Sequence, residues 1–441
     1  MIDNRPVHSD RALAGESSLI QPWLLSRRFC AALSVACALA LCAAPPAPAQ
    51  GSPSSPRAVV AARACAALAT HAGDANGAPE FLASYVFPNR QEFPELQTVA
   101  YTYDNALAVI ALIACNRLPQ AERVGAALRS AALADPRLRN GYRAGPVASA
   151  ALANGWWDPA THRWLEDSYQ MGTATGNVAW AALAMLALDA ATGDPRWRAA
   201  AVRLGHWIDR KTRNASAIGG FTGGIDGFDS APKQIEWQAT EHNIDAIALF
   251  TWLARVDPSP EWAADAATAR KFVASQWNTQ AGYFLIGTLP NGAENTGASA
   301  LDVQAWAQLL PAPDPDWRRA LQYAATNYKV GHGFAFGSAR GGIWLEGTAQ
   351  AALAYQHVGL QPQAAELFST IAGQFSRSGY VYATNQKELR TSPATAAGSS
   401  GPGYYYFRLP HLGATAWAAL AARDWNPFTC HAGKRKAACQ P

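Results

Sequence analysis

The chain has 441 residues, of which 49% are hydrophobic and only 15% charged. That balance excludes a disordered chain, and the length suffices to bury a large core without metal or disulfide staples. The net charge of +4 comes from nearly balanced bases and acids, so no basic field points to nucleic acid as a partner.

The first segment reads as an address. Arg27 and Arg28 precede an apolar run over 29–44, and Ala47-Pro48-Ala49 offers a small-residue cleavage site before Gln50. This is the layout of a secretory signal peptide, and the run is too short for a membrane span. Residues 1–49 are therefore expected to be a leader. Residues 50–441 are expected to form one domain, periplasmic or extracellular, with no integral span after the leader is removed. Cys65, Cys115, Cys430 and Cys439 remain in the mature chain. In an oxidising compartment Cys430 with Cys439 would close a short loop, and Cys65 with Cys115 would tie the first two helices. Simple burial on helices is the alternative for Cys65 and Cys115. No Cys/His spacing matches a zinc site, and no metal or cofactor is expected.

From there two kinds of segment alternate. Amphipathic stretches with Arg and Glu on one face cover 56–71, 121–134, 195–210, 260–277, 315–328 and 363–375. Several begin with Pro, which the first helical turn accepts. Between them lie Ala- and Trp-rich stretches with few charges: 103–113, 176–188, 240–253, 299–310, 343–355 and 411–422. Helices that are apolar all round must be buried on most sides. Six such hairpins in series predict one repeat architecture. The fold expected is all-α: an (α/α)6 barrel with the apolar helices inside and the amphipathic ones outside. An open helical stack is the alternative. The count of six and the one-sided set of long Gly- and Trp-rich loops favour closure.

Polar residues open the inner helices: Tyr103-Asp104-Asn105, Glu241-His242-Asn243 with Asp245, Leu301-Asp302 and Trp344-Leu345-Glu346-Gly347. Any one carboxylate there could simply cap free amides and meet the positive end of the helix dipole. Four at corresponding positions should converge on one mouth of the barrel. The loops feeding that mouth carry Trp156, Trp157, Trp237 and the run Tyr404 to Tyr406. Their flat rings suit the C–H faces of sugars, while carboxylates and amides suit hydroxyls. Trp180, Trp306 and Trp417, inside the inner helices, read instead as core. Asn385, in the last long loop, is a candidate to hold a hydroxyl. Asp226 and Asp229, in a Gly-rich loop, lack the ligand count of a calcium site.

Six alternating hairpins with these motifs at the inner-helix starts resemble the six-hairpin glycosidase superfamily over essentially the whole mature chain. The resemblance implies carbohydrate as substrate and, usually, an inverting hydrolysis with two carboxyl groups flanking the glycosidic bond. Glu241 and Glu346 are the candidate acid and base, with Asp104 and Asp302 next. Asp245, one turn beyond Glu241, could raise its proton affinity as a like charge. Tyr103, Asn105, Trp156, Trp157, Trp237, His242, Asn243, Asp245, Trp344, Asn385 and Tyr404 are the candidate substrate-binding residues. Two other readings stay open. A polysaccharide lyase could draw on His242, Asn243, His332, Tyr103 and Arg340, and a non-catalytic glycan-binding protein needs no acid at all. An epimerase would use paired histidines, though export fits it poorly.

Overall fold

The computed structural model describes residues 55–74, 76–87, 93–297, 299–391 and 405–431. The expected leader, Tyr404 and Cys439 lie outside them.

The twelve expected helices are all present. Outer helices are α1 (Pro56–Ala72), α4 (Leu118–Ala134), α7 (Pro195–Thr212), α9 (Glu261–Ser275), α11 (Arg319–Asn327) and α13 (Gln361–Ala372). Inner helices are α3 (Thr102–Ala114), α6 (Thr175–Thr192), α8 (Thr240–Val256), α10 (Leu301–Trp306), α12 (Leu345–His357) and α14 (Leu412–Arg423). Two single turns, α2 (Pro94–Gln97) and α5 (Ser168–Met171), lie in the loops. Short two- and three-residue strands pair as small ladders within and between the loops.

Composition explains the layering. In α6 every residue from Val178 to Ala190 is buried, and its alanines let neighbouring helices approach closely. In α7, Trp197, Ala200, Ala201, Leu204 and Ile208 are buried at helical spacing, leaving the arginines outside. Each inner helix packs on the next, and α14 returns to pack on α3. That contact closes the ring and excludes the open stack: the fold is all-α, an (α/α)6 barrel. Outside, α1 packs against α13 and α14, and a Cys65–Cys115 disulfide ties it to the end of α3. The barrel interior is plugged by Trp180, Trp306 and Trp417, whose ring centroids stand 5.5 to 5.8 Å apart, with Phe428 beside them.

One inner helix is shorter than its apolar pattern. The 299–310 stretch is α-helical only to Trp306 and ends in a 3-10 turn, Ala307–Leu309. Pro311 is the cause: it disfavours helical backbone at Leu310, which is extended at ψ 149°.

A repeated device fixes the mouth loops. Four residues after the N-cap, an inner helix carries a side chain that pins the backbone of a preceding loop. Asn105 Oδ1 accepts from Leu82 N at 2.8 Å, and its amide donates to Leu82 O and Tyr101 O. Asn243 does the same to Phe221 and Ala239, and Gln304 to Phe284 and Ala300. Thr348 and Thr415 play the part with hydroxyls on Phe334 N and Val381 N. Buried loop backbone must find partners somewhere, and here the inner helices supply them.

Candidate active site

All six inner helices present their N-termini to the same end of the barrel, so position along each helix becomes position around the mouth. The second residue after each N-cap is, in chain order, Tyr103, Gly176, Glu241, Asp302, Glu346 and Gly413. Three acids and a tyrosine thus face inward, and two glycines leave room beside them. A Cβ on Gly413 would stand 2.6 Å from Asp104 Oδ1 and 3.1 Å from Glu346 Oε2. One on Gly176 would stand 2.9 Å from Asp245 Oδ2 and 2.5 Å from His242 Cδ2.

The first cluster centres on Glu346, which is buried. Its Oε1 accepts from the Tyr103 hydroxyl at 2.8 Å and from Gln350 at 3.4 Å. The tyrosine oxygen in turn accepts from the Trp417 indole at 2.8 Å. Glu346 Oε2 lies 3.6 Å from His411 Nδ1, and His411 Nε2 lies 3.3 Å from Asp104 Oδ2. Burial pushes the Glu346 carboxyl up to about 7, with Asp104 adding to the rise; His411 and the Tyr103 hydroxyl pull against it. Burial pulls the His411 imidazole down, but the Asp104 and Glu346 carboxylates outweigh burial and hold it above the ordinary histidine value. Tyr85 stacks on His411 at 4.7 Å between centroids, and Tyr406 meets it edge-on at 6.3 Å.

The second cluster joins α8 to α10. The Glu241 and Asp302 carboxyls lie close enough for each to alter the other's proton affinity. Enclosure by protein raises Glu241 well above its ordinary value, and the Asp302 charge adds to it. Burial pushes Asp302 up to about 6. Asp245, buried below them, is raised first by burial and then by both neighbours, and its Oδ1 has no hydrogen-bond partner among the described residues. Glu241 keeps 37% of its side chain exposed, against 3% for Asp104 and Glu346. His242 Nε2 lies 3.5 Å from Glu241 Oε1, and burial pulls its imidazole down to about 4.

The structure therefore brings together Glu241, Glu346, Asp104, Asp302, Tyr103, His242 and Asp245. Other expected site residues lie elsewhere or serve otherwise. Asn105 and Asn243 are fully buried, their amides spent on loop backbone, so neither can bind a ligand. Asn385 accepts from Ile343 N at 2.8 Å and so pins the loop before α12. Trp344 is buried against Phe336 and Tyr406, as packing and not as an open platform. Trp237 is half-buried beside His242. Trp156 is half-buried and Trp157 exposed on a hairpin whose strands pair over 156–158 and 163–165. Asp229 is clamped by Arg137 and Arg139 at 2.9 and 2.5 Å. His332 pairs with Glu366 on outer helix α13, and Arg340 is bound to the carbonyls of Thr326 and Asn327. Neither belongs to the mouth clusters. Among the described residues no group of three or more His, Cys, Asp or Glu is set to hold a metal ion, and no helix is long and apolar enough to cross a membrane.

Sequence reasoning missed His411, Gly413 and Tyr85. His411 was legible as the cap of the last inner helix, and Gly413 by its alignment with Glu241, Asp302 and Glu346.

No family model matches the chain, and no curated protein matches it in sequence. Solved structures do match in shape. A wild-type glycosidase has a TM-score of 0.55 at 16% identity, over 84% of this chain and 98% of its own. A family 76 glycoside hydrolase from a bovine Bacteroides thetaiotaomicron strain has a TM-score of 0.54 at 9% identity, over 84% and 78%. A cellobiose 2-epimerase from Spirochaeta thermophila has 0.57 at 13%, over 83% and 95%. Likeness at these identities speaks for the fold alone: the chain shares the (α/α)6 architecture of these neighbours.

Proposed function

We propose that the chain is an exported glycoside hydrolase that cleaves a poly- or oligosaccharide by inverting general acid/base catalysis. The observation that carries this reading is the convergence of two pairs of acids, Glu241 with Asp302 and Glu346 with Asp104, at one barrel mouth. Glu241, the more exposed acid, whose proton affinity is raised by its surroundings and by Asp302, donates to the leaving oxygen. Glu346 takes the proton from the attacking water, and Asp104 and Asp302 grip hydroxyls of the cleaved unit. Trp237, Trp157 and the exposed ring of Tyr405 supply faces for neighbouring sugars.

The mouth is built from acids, and the arginine and exposed histidine that a lyase would draw on lie in other contacts. That favours a neutral glycan over a uronate polymer. A second reading, sugar epimerisation, is favoured by one observation: His242 and His411 stand on different inner helices at this same mouth.

The deciding experiment assays residues 50–441, wild type and Glu241→Gln, on a panel of neutral and acidic glycans. Reducing ends, ultraviolet absorbance of unsaturated products and the anomer first released are read together. Inverted reducing ends, lost in the variant, support hydrolysis. Absorbance growth supports a lyase, and isomerised sugar without cleavage supports an epimerase. Binding that survives every carboxylate substitution, without turnover, leaves a glycan-binding protein.

A further inference from the structure

We infer that His411 is a positioning residue that bridges Asp104 and Glu346 and serves as the onward acceptor of the proton that Glu346 removes from water. The inference rests on the hydrolase reading of the same site and adds a residue to it.

The geometry is that of a relay with two states. His411 is the N-cap of α14, and its Nδ1 accepts from Ala414 N at 3.3 Å. A nitrogen that accepts there carries no proton, so in this state the ring's proton sits on Nε2, which faces Asp104 Oδ2 at 3.3 Å. The same Nδ1 lies 3.6 Å from Glu346 Oε2. When Glu346 takes a proton from water, the water O–H bond breaks and an O–H bond forms on the carboxyl. That proton then passes to Nδ1, which gives up the Ala414 contact. His411 becomes an imidazolium between two carboxylates, and Glu346 is again ionised. Loss of the proton to solvent restores the first state. No oxidant or co-reactant enters.

The surroundings fit this use. The groups that face His411 are Asp104 from α3, Glu346 from α12, and the rings of Tyr85 and Tyr406. Glu346 also faces Tyr103, Gln350 and, across the mouth, Asp302. Among the described residues no lysine or arginine pairs with the two carboxylates, and the imidazole is the group that can carry their compensating positive charge. Gly413 has no side chain to separate the three. A histidine serving only as a helix cap needs none of this, since Ser, Asp or Asn caps as well.

The test has two arms. In the first, imidazole NMR follows His411 against pH in wild type, Asp104→Asn and Glu346→Gln. His411 is expected to hold its proton to higher pH in wild type than an ordinary histidine. In either variant its titration should move down by about one pH unit or more, as one neighbouring charge is removed. An unchanged titration overturns the relay whether or not the protein is a hydrolase. The second arm uses His411→Asn, which keeps a capping side chain. The melting temperature should hold, kcat should fall about tenfold to hundredfold, and KM should stay unchanged. The low-pH limb of kcat/KM should move upward, because at the low pH where His411 is an imidazolium its charge holds the Glu346 proton affinity down, and the variant lacks it. A fall in melting temperature with an unmoved limb makes His411 structural only and overturns the proposal. A relay seen by NMR in a protein that cleaves no glycan sinks the hydrolase reading and leaves the proton bridge standing.

Discussion

The Tyr103 hydroxyl is spent at both ends: it donates to Glu346 Oε1 and accepts from the Trp417 indole, each at 2.8 Å. The first residues of α3 thereby orient the carboxyl of α12 and tie it to the aromatic plug of the barrel. Because the bond favours ionised Glu346, Tyr103→Phe should raise that group's proton affinity. The low-pH limb of kcat/KM should move up, and kcat should fall about tenfold. The substitution also leaves a buried indole N–H unpaired, at a cost of about 1–3 kcal/mol in denaturant unfolding. Lost stability with an unmoved limb would show that Glu346 is not the titrating base.

The mouth makes stability depend on pH in a definite direction. Asp302 and Glu346 are raised to about 6 and about 7 in the fold, against about 4 in an unfolded chain. Their favourable contribution is full below the unfolded value and fades as pH rises through about 6 and then about 7. His411, also raised, loses its contribution in the same direction. His242 runs the other way: its depressed value of about 4 gives stability that is lost as pH falls. Above about pH 6.5 an unfolded histidine is already neutral, so His242 no longer opposes the others. The melting temperature should therefore fall between about pH 6.5 and pH 8. Glu346→Gln should flatten part of that slope, and a slope unaltered by it would contradict the burial assigned to this carboxyl.

The layering was readable because burial on all sides and burial on one side leave different residue patterns; α6 and α7 show the two side by side. The acids were readable because an acid opening an apolar helix is conspicuous. What those side chains touch was not. Asn243 and Glu241 open the same helix two residues apart, yet one pins Phe221 from inside and the other faces the mouth. That difference is set by the direction each leaves the helix and by a loop about twenty residues upstream, neither of which spacing reveals. His411 went unnoticed because its partners, Asp104 and Glu346, lie on two other inner helices far off in sequence. Glycine 413 gave no signal by its own chemistry; its meaning comes from what stands against it.

Loop pinning predicts a kind of damage distinct from losing an acid. Asn243→Ala removes the partner of Phe221 N and of Phe221 O, both buried. Stability should drop by about 3 kcal/mol for these orphaned groups. Activity should weaken mainly through KM, as the loop beside Glu241 loosens, while the pH limbs stay in place. A change in the limbs instead would return Asn243 to the reacting groups.

The Cys65–Cys115 disulfide spans a sequence separation of 50 and joins the first outer helix to the end of the first inner one. Its removal in Cys65→Ser/Cys115→Ser should cost about 4 kcal/mol, mainly by freeing the unfolded chain. The mouth is built from the opposite ends of the inner helices, so kcat at a temperature well below melting should be unchanged. A fall in kcat there would mean that the bridge sets the position of α3, and with it Asp104.

Gly413→Ala separates the site's needs from those of the helix. Alanine is the better helix former by about 1 kcal/mol, so local propensity alone predicts a slightly more stable protein. Yet the new methyl would sit 2.6 Å from Asp104 Oδ1, 3.0 Å from His411 Cε1 and 3.1 Å from Glu346 Oε2. Those three groups must move apart, which lengthens both His411 contacts and weakens the compensation of the two carboxylates. Activity should drop more than about tenfold with little change in melting temperature, and His411 should titrate at lower pH. The added strain can cancel the propensity gain, so the activity and the histidine titration are the readouts that count. A Gly413→Ala protein with full activity and an unmoved His411 would mean that the close approach of these groups has no part in catalysis.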